Sequence, residues 1–137
     1  MTDASDALSI AAAGLRAQSA RMRIIAENIA NAESTGNTPG ADPYRRQVPV
    51  FEAEVDRMTG LEVVRMTGVD ADRSDFDLRH EPGHPAADSD GYVKYPNVQT
   101  LIELMDMREA QRSYEANLNM VESSRRMMER ALDLLRR

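Results

Sequence analysis

The stretch HEPGHP, residues 80 to 85, contains the pattern H-E-x-x-H in His80, Glu81 and His84. On one turn of helix, that spacing aims two imidazoles at a single metal ion and leaves the glutamate to activate its bound water. This is the chemistry of zinc peptidases. The chain has 2 histidines in all, and both lie here. The two central positions, however, are Pro82 and Gly83, and Pro85 follows at once. Proline inside a helix removes a backbone donor and clashes with the preceding turn, costing about 3 kcal/mol or more. Glycine adds roughly 1 kcal/mol relative to alanine. Glu81 and His84 each precede a proline and are pushed towards extended geometry. The expectation is a solvent-exposed turn with no catalytic residue, no metal and no cofactor. Asp88 and Asp90 make part of a calcium-loop pattern without its full ligand series, and they too read as a solvated turn.

The rest of the chain offers no other source of catalysis. Its 137 residues suffice for one ordinary domain. Aromatics are 4% and charged residues 29%, with no tryptophan. That is thin material for a compact core but suits long helices. The absence of cysteine excludes disulfides and thiol chemistry and leaves the compartment open. Residues 52 to 90 hold eleven acids against four bases, within a net charge of -6. An acidic centre argues against nucleic acid, which needs a basic face. No apolar run approaches the roughly 20 residues of a membrane span. The start, MTDASDALSIAAAGL, has acid where a secretion signal needs base, so no cleaved signal peptide is expected.

Two long patterns flank a short middle. From Asp3 to about Ala32, Leu8, Leu15, Met22 and Ile29 fall at steps of seven, with Thr2 or Asp3 as the cap. The second pattern starts after Asn97, a candidate cap, and runs to Arg137. Leu104, Leu118 and Leu132 form one row there, with Gln111 and Arg125 between them; Met107, Tyr114, Val121, Met128 and Leu135 form the other. Alternating spacings of three and four predict a coiled-coil-like seam. The helices would be roughly 43 and 58 Å long. All six prolines lie between residues 37 and 96. Strand candidates there are Gln47–Phe51, Leu61–Met66, Phe76–Leu78 and Tyr92–Tyr95. The predicted fold is therefore mainly α with a small β-rich insert, its long terminal helices paired as an antiparallel coiled-coil-like hairpin. The divisions fall at 1–36, 37–96 and 97–137.

Helices of that length cannot wrap a module of some 60 residues, whose radius of gyration would be near 10 Å. The bottom-up expectation is an assembly protein whose helix faces meet neighbouring subunits. Heptad spacing alone leaves each row open to an intramolecular seam or a subunit contact. A prefoldin-like coiled-coil chaperone is the alternative, since it too sets a β-rich segment between two helices.

Five segments carry a resemblance. NIANAESTG (28–36) has Asn28, Ala30, Asn31 and Gly36, and DPYRRQ (42–47) has Tyr44, Arg45 and Arg46. EPGHPAADSDGYV (81–93) has Pro82, Gly83, His84, Pro85, Gly91 and Tyr92. YPNV (95–98) has Tyr95, Pro96 and Asn97, and AQRSYEANLNMV (110–121) has Arg112, Tyr114, Ala116 and Asn117. Taken in order, they resemble the signatures of the bacterial flagellar rod and hook axial proteins, and within these the proximal rod subunits. Glu81 stands where those relatives usually have aspartate, which creates the zinc-like string by accident.

The resemblance implies a non-enzymatic subunit of the basal-body rod, the drive shaft within the periplasm. It would be exported uncut by the flagellar type III apparatus. Its partners would be other copies of itself, other rod proteins, the rod base adaptor and the membrane ring. On the residues alone, Asn28 and Asn31 stand open as helix-terminus groups bonding nearby backbone or as inter-subunit contacts. Tyr44, Arg45 and Arg46 stand open as an exposed basic turn or a contact to an acidic neighbour.

Overall fold

The computed structural model describes the backbone of residues 2–137 and the side chains of residues 3–137; the Thr2 cap falls outside the described residues. Two helices flank two small sheets. The order is α1 (Thr2–Ala30), β1 (Gln47–Val55), β2 (Glu62–Ala71), β3 (Asp77–His80), β4 (Tyr92–Tyr95) and α2 (Thr100–Arg136). β1 pairs with β2, and β3 with β4. The chain divides into two compact units. One comprises Met1–Met22, Val50–Gly68 and Arg108–Arg137, the other Arg23–Pro49 and Val69–Met107.

In the first unit, α1 and α2 run in opposite directions. Gly14 faces Asn117, and Arg21 pairs with Glu109 at 3.6 Å. A Cβ added at Gly14 would lie 2.7 to 2.9 Å from Oδ1, Nδ2 and Cγ of Asn117, so the asparagine amide fills the space beside the glycine. Burial shows which row of α2 turns inward. Ala110 and Ser124 are buried, and Tyr114, Asn117, Val121, Met128 and Ala131 are half-buried. Leu118, Leu132 and Leu135 are exposed. The leucine row is thus excluded from the intramolecular seam. The row one residue earlier, small and polar, replaces it because large side chains would hold the helices apart. Leu8, Leu15 and Met22 are half-buried at the margin of the α1 face, with Ala11, Ala13 and Ala17 buried deeper.

The Gly14–Asn117 contact makes a prediction of sign. Helix propensity favours alanine over glycine by about 1 kcal/mol. Crowding should reverse that: Asn117 would have to turn away and release its 3.0 Å bond to the Ser113 carbonyl. Gly14→Ala is expected to destabilise by about 1–2 kcal/mol in the native background, yet to stabilise by up to about 1 kcal/mol when Asn117→Ala is also present. Urea titration of the four chains measures both values.

The same unit carries the tip of the β1–β2 hairpin. Asp56 Oδ1 accepts the N–H groups of Met58 (2.8 Å) and Thr59 (3.1 Å), and Gly60 takes the positive φ of 72° that closes the turn. Those two N–H bonds, Met58 first, hold the Asp56 carboxyl below its ordinary range. A connection this short requires antiparallel strands. Residues 57 to 60 of the tip are exposed.

The second unit contains β3 and β4 in antiparallel register, with Asp77 opposite Tyr95 and His80 opposite Tyr92. Ala86, Val93 and Tyr95 pack as its small apolar core. The turn between the strands is set by Asp88, whose Oδ1 accepts from the N–H groups of Asp90 and Tyr92, both at 2.9 Å. Gly91, at φ 84°, completes it.

Candidate functional site

The last turn of α1 ends in a short cap. Asn31 donates from Nδ2 to the Glu27 carbonyl at 2.9 Å, a local bond that terminates the helix. Asn28 does something different. It is 1% exposed, and its Oδ1 accepts from the Tyr44 hydroxyl (2.7 Å) and the Gln47 N–H (2.9 Å). Its Nδ2 donates to the Gln47 carbonyl (2.8 Å) and to Glu103 Oε2 (3.5 Å). The side-chain amide grips both sides of the Gln47 peptide, as a neighbouring strand would. It therefore joins the end of α1 to the start of β1 and the first turn of α2. The partners of Asn28 are within the chain but far from it in sequence, so it is not a helix-terminus group bonding nearby backbone.

Glu103, also 1% exposed, accepts from Arg46 Nε as well. Arg46 is further flanked by Asp72 at 3.4 Å and Asp106 at 3.8 Å. Its backbone N–H donates to Asn97 Oδ1 at 2.8 Å, while Asn97 Nδ2 donates to the Asp72 carbonyl at 2.9 Å. Asn97 is thus a bracket between β1 and the chain after β2. The helix it was expected to cap begins at Thr100. Arg45 donates to the carbonyls of Asp72 (2.9 Å) and Ser74 (3.2 Å) and lies 4.1 Å over the Phe76 ring. Tyr44, Arg45 and Arg46 are half-buried and bound within the chain, so they are not a free basic turn.

The electrostatics follow from this packing. Burial works against the Arg46 charge, but the hydrogen bond and charge of Glu103, with those of Asp72, outweigh it and raise its pKa. Burial, then the charges of Glu27 and Glu103, raises the Tyr44 phenol. Asp72 is held below its ordinary range, first by the Ser74 N–H and hydroxyl and then by Arg46. A buried ion pair gains stability only where its remaining lone pairs and protons are bonded. Here both carboxylate oxygens of Glu103 have partners.

HEPGHP lies at the end of β3 and in the turns after it, not on a helix. His84 Nδ1 accepts the Ala86 N–H at 3.0 Å, and its other nitrogen sits 3.4 Å from Thr35 Oγ1. His80 meets Tyr92 edge-on, and Glu81 accepts the Tyr95 hydroxyl at 2.9 Å. Among the described residues, no group of three His, Asp or Glu side chains is placed to hold a metal ion. Pro82, Gly83 and Pro85 are exposed in this loop, while Gly91, Tyr95 and Pro96 are buried and Tyr92 is exposed. Gly36 has no room for a Cβ, which would meet Ala41 at 2.4 Å. Ala30, Arg112 and Ala116 are exposed and take no part in the hub.

Sequence reasoning missed Glu103, Asp72, Asp106 and Gly14. Glu103 had a signal. Steps of seven back from Asn117 reach Ala110 and then Glu103, so the carboxylate occupies an inward helix position. An acid there demands a buried partner.

The outer side of α2 is the second feature. Leu101, Leu104 and Met105 are exposed in the second unit; Leu118, Met120, Met127, Leu132, Leu134 and Leu135 are exposed in the first. Met107, like Tyr114 and Val121, is half-buried, as is Ile29 on α1. Among the described residues no helix is long and apolar enough to cross a membrane.

The terminal helices and the β insert are tied together by the hub in the second unit. The family model described as flagellar basal body rod FlgEFG protein C-terminal matches residues 89–134. Over 136 residues the chain is 52% identical to the flagellar basal-body rod protein FlgC of Agrobacterium fabrum, covering 99% of this chain and 98% of the relative. It is 37% identical to FlgC of Borreliella burgdorferi, covering 93% and 95%, and 37% identical to FlgC of Salmonella typhimurium, covering 91% and 92%. The chain belongs to the FlgC family of flagellar basal-body rod proteins. It is a structural rod subunit of the bacterial flagellum and not an enzyme. None of these likenesses favours the chaperone alternative.

Proposed function

We propose that this chain polymerises through its terminal helices as a subunit of the proximal rod, a shaft that transmits torque across the periplasm. Residues 1–36 and 97–137 form the inner tube wall, and residues 37–96 the module around it. The observation that carries this reading is the leucine row of α2, exposed beside a seam already filled by smaller side chains. Solvent-facing apolar rows of this extent mark contact surfaces, and contacts that do not close on themselves build a helical tube. Partners are other copies, other rod proteins, the rod base adaptor and the membrane ring. Export runs through the flagellar type III apparatus without cleavage of a signal peptide.

The test is to fractionate cells in which the chain carries an epitope at the exposed Arg137. It should co-purify with periplasmic basal bodies at its full translated length and be absent from the free periplasm of export-deficient cells. Recovery of a shortened chain, or of basal bodies lacking it, would count against the reading.

A further inference from the structure

Neither of the 2 histidines takes part in the hub, and they are bound differently. His80 only packs edge-on against Tyr92. His84 is half-buried and engaged at both ring nitrogens: Nδ1 accepts the Ala86 N–H at 3.0 Å, and Nε2 lies 3.4 Å from Thr35 Oγ1. A neutral imidazole has one donor and one acceptor. The bond from Ala86 therefore leaves the proton on Nε2, facing the Thr35 hydroxyl. The backbone of His84 is held as well, since its N–H donates to the Glu81 carbonyl and its carbonyl accepts from Ala87, both at 3.0 Å. Ala86 is 1% exposed in the small apolar core of the second unit, and its carbonyl accepts the Gly40 N–H at 3.2 Å. Thr35 and Gly40 both belong to the loop between α1 and β1. His84 and Ala86 together thus fasten that loop to the connection between β3 and β4.

We propose that His84 is an acid-sensitive clasp, closed while Nδ1 is bare and opened by a second proton on the ring. An imidazolium has two donors and no acceptor. Its new N–H would face the Ala86 N–H, so the ring must turn away and lose Thr35 too. A buried donor without a partner is costly, which drives Ala86 towards water and frees Gly40. Imidazole is the side chain that changes charge between about pH 5 and 8. The carboxylates around the ring are already engaged. Glu81 accepts the Tyr95 hydroxyl at 2.9 Å, Glu33 pairs with Arg79 at 3.1 Å, Asp42 pairs with Lys94 at 3.2 Å, and Asp88 accepts the Asp90 and Tyr92 N–H groups. Tyr95, its ring 6.4 Å from that of His84, carries the Arg79 cation 4.0 Å over its face. The clasp goes beyond the rod reading and does not depend on it.

Hydrogen exchange at the Ala86 amide of the full chain, divided by the intrinsic rate at each pH, is the test. Protection should fall about tenfold or more between about pH 7.5 and about pH 5. His84→Asn keeps a short acceptor for the N–H two residues on but has no titrating ring, and should hold protection level across that range. His80→Asn should leave the fall unchanged. An Ala86 amide that is unprotected at the higher pH, or equally protected at both, overturns the clasp, and so does a fall that persists in His84→Asn or vanishes in His80→Asn. If His84→Asn leaves Ala86 unprotected throughout, the ring nitrogen shifts of the native chain decide. A bare Nδ1 whose protonation coincides with the loss of Ala86 protection supports the clasp, and an Nδ1 already protonated at the higher pH overturns it.

Discussion

Asn28→Ala is expected to cost about 2–4 kcal/mol, a large share of what holds a chain of this size together. The alanine leaves both polar groups of the Gln47 peptide, the Tyr44 hydroxyl and one oxygen of Glu103 without their bonds. Each buried group left unpaired carries a desolvation penalty of about 1–3 kcal/mol, and water entering the space offsets part of the sum. Asn28→Asp should be no milder, because it exchanges the donor facing Glu103 for a second carboxylate. The control is Asn31→Ala. Its bond to Glu27 is local and exposed, so the loss should stay under about 1 kcal/mol. Urea midpoints of the purified chains test the pair. Equal losses at positions 28 and 31 would remove the hub from any role in stability.

Leu118→Asp and Val121→Asp, three positions apart on α2, should fail in different ways. Leu118 is exposed, so aspartate there should move the folding free energy of the isolated chain by no more than about 0.5 kcal/mol. Incorporation into basal bodies and swimming should nevertheless be lost, because a charge in a subunit contact has no partner once water is excluded. Val121 lies in the helix seam, and aspartate there should destabilise the chain itself by about 2–4 kcal/mol. Melting curves and basal-body immunoblots separate the two outcomes. A Leu118→Asp strain that swims normally would assign the leucine row to no interface.

These two expectations trace the limit of what periodicity reveals. The helices, the four strands and the antiparallel pairing are legible because each depends on local spacing: sevens for α1 and α2, alternation for the β segments, prolines for the breaks. The choice of inward row is not. Counting leucines assumes that the largest apolar residues go inside, whereas here Gly14 faces the Asn117 side chain and the small, polar row of α2 is the one that turns inward. Leu104, Leu118 and Leu132 then face outward. The hub is hidden for another reason. Asn28 and Glu103 are 75 residues apart, and nothing near either residue announces the other. The Asn28, Tyr44–Arg46 and Asn97 motifs stood out as separate segments, whereas in the folded chain they bond to the same few groups.

The sequence separation within that hub has a kinetic meaning. Contacts between distant residues form late, since the intervening loop must first be closed. Synthesis from the N-terminus has Asn28, Tyr44 and Arg46 in the open well before Glu103 emerges. Until then the leading portion lacks the carboxylate that completes its polar knot. Closure of the knot therefore waits on the trailing third of the molecule.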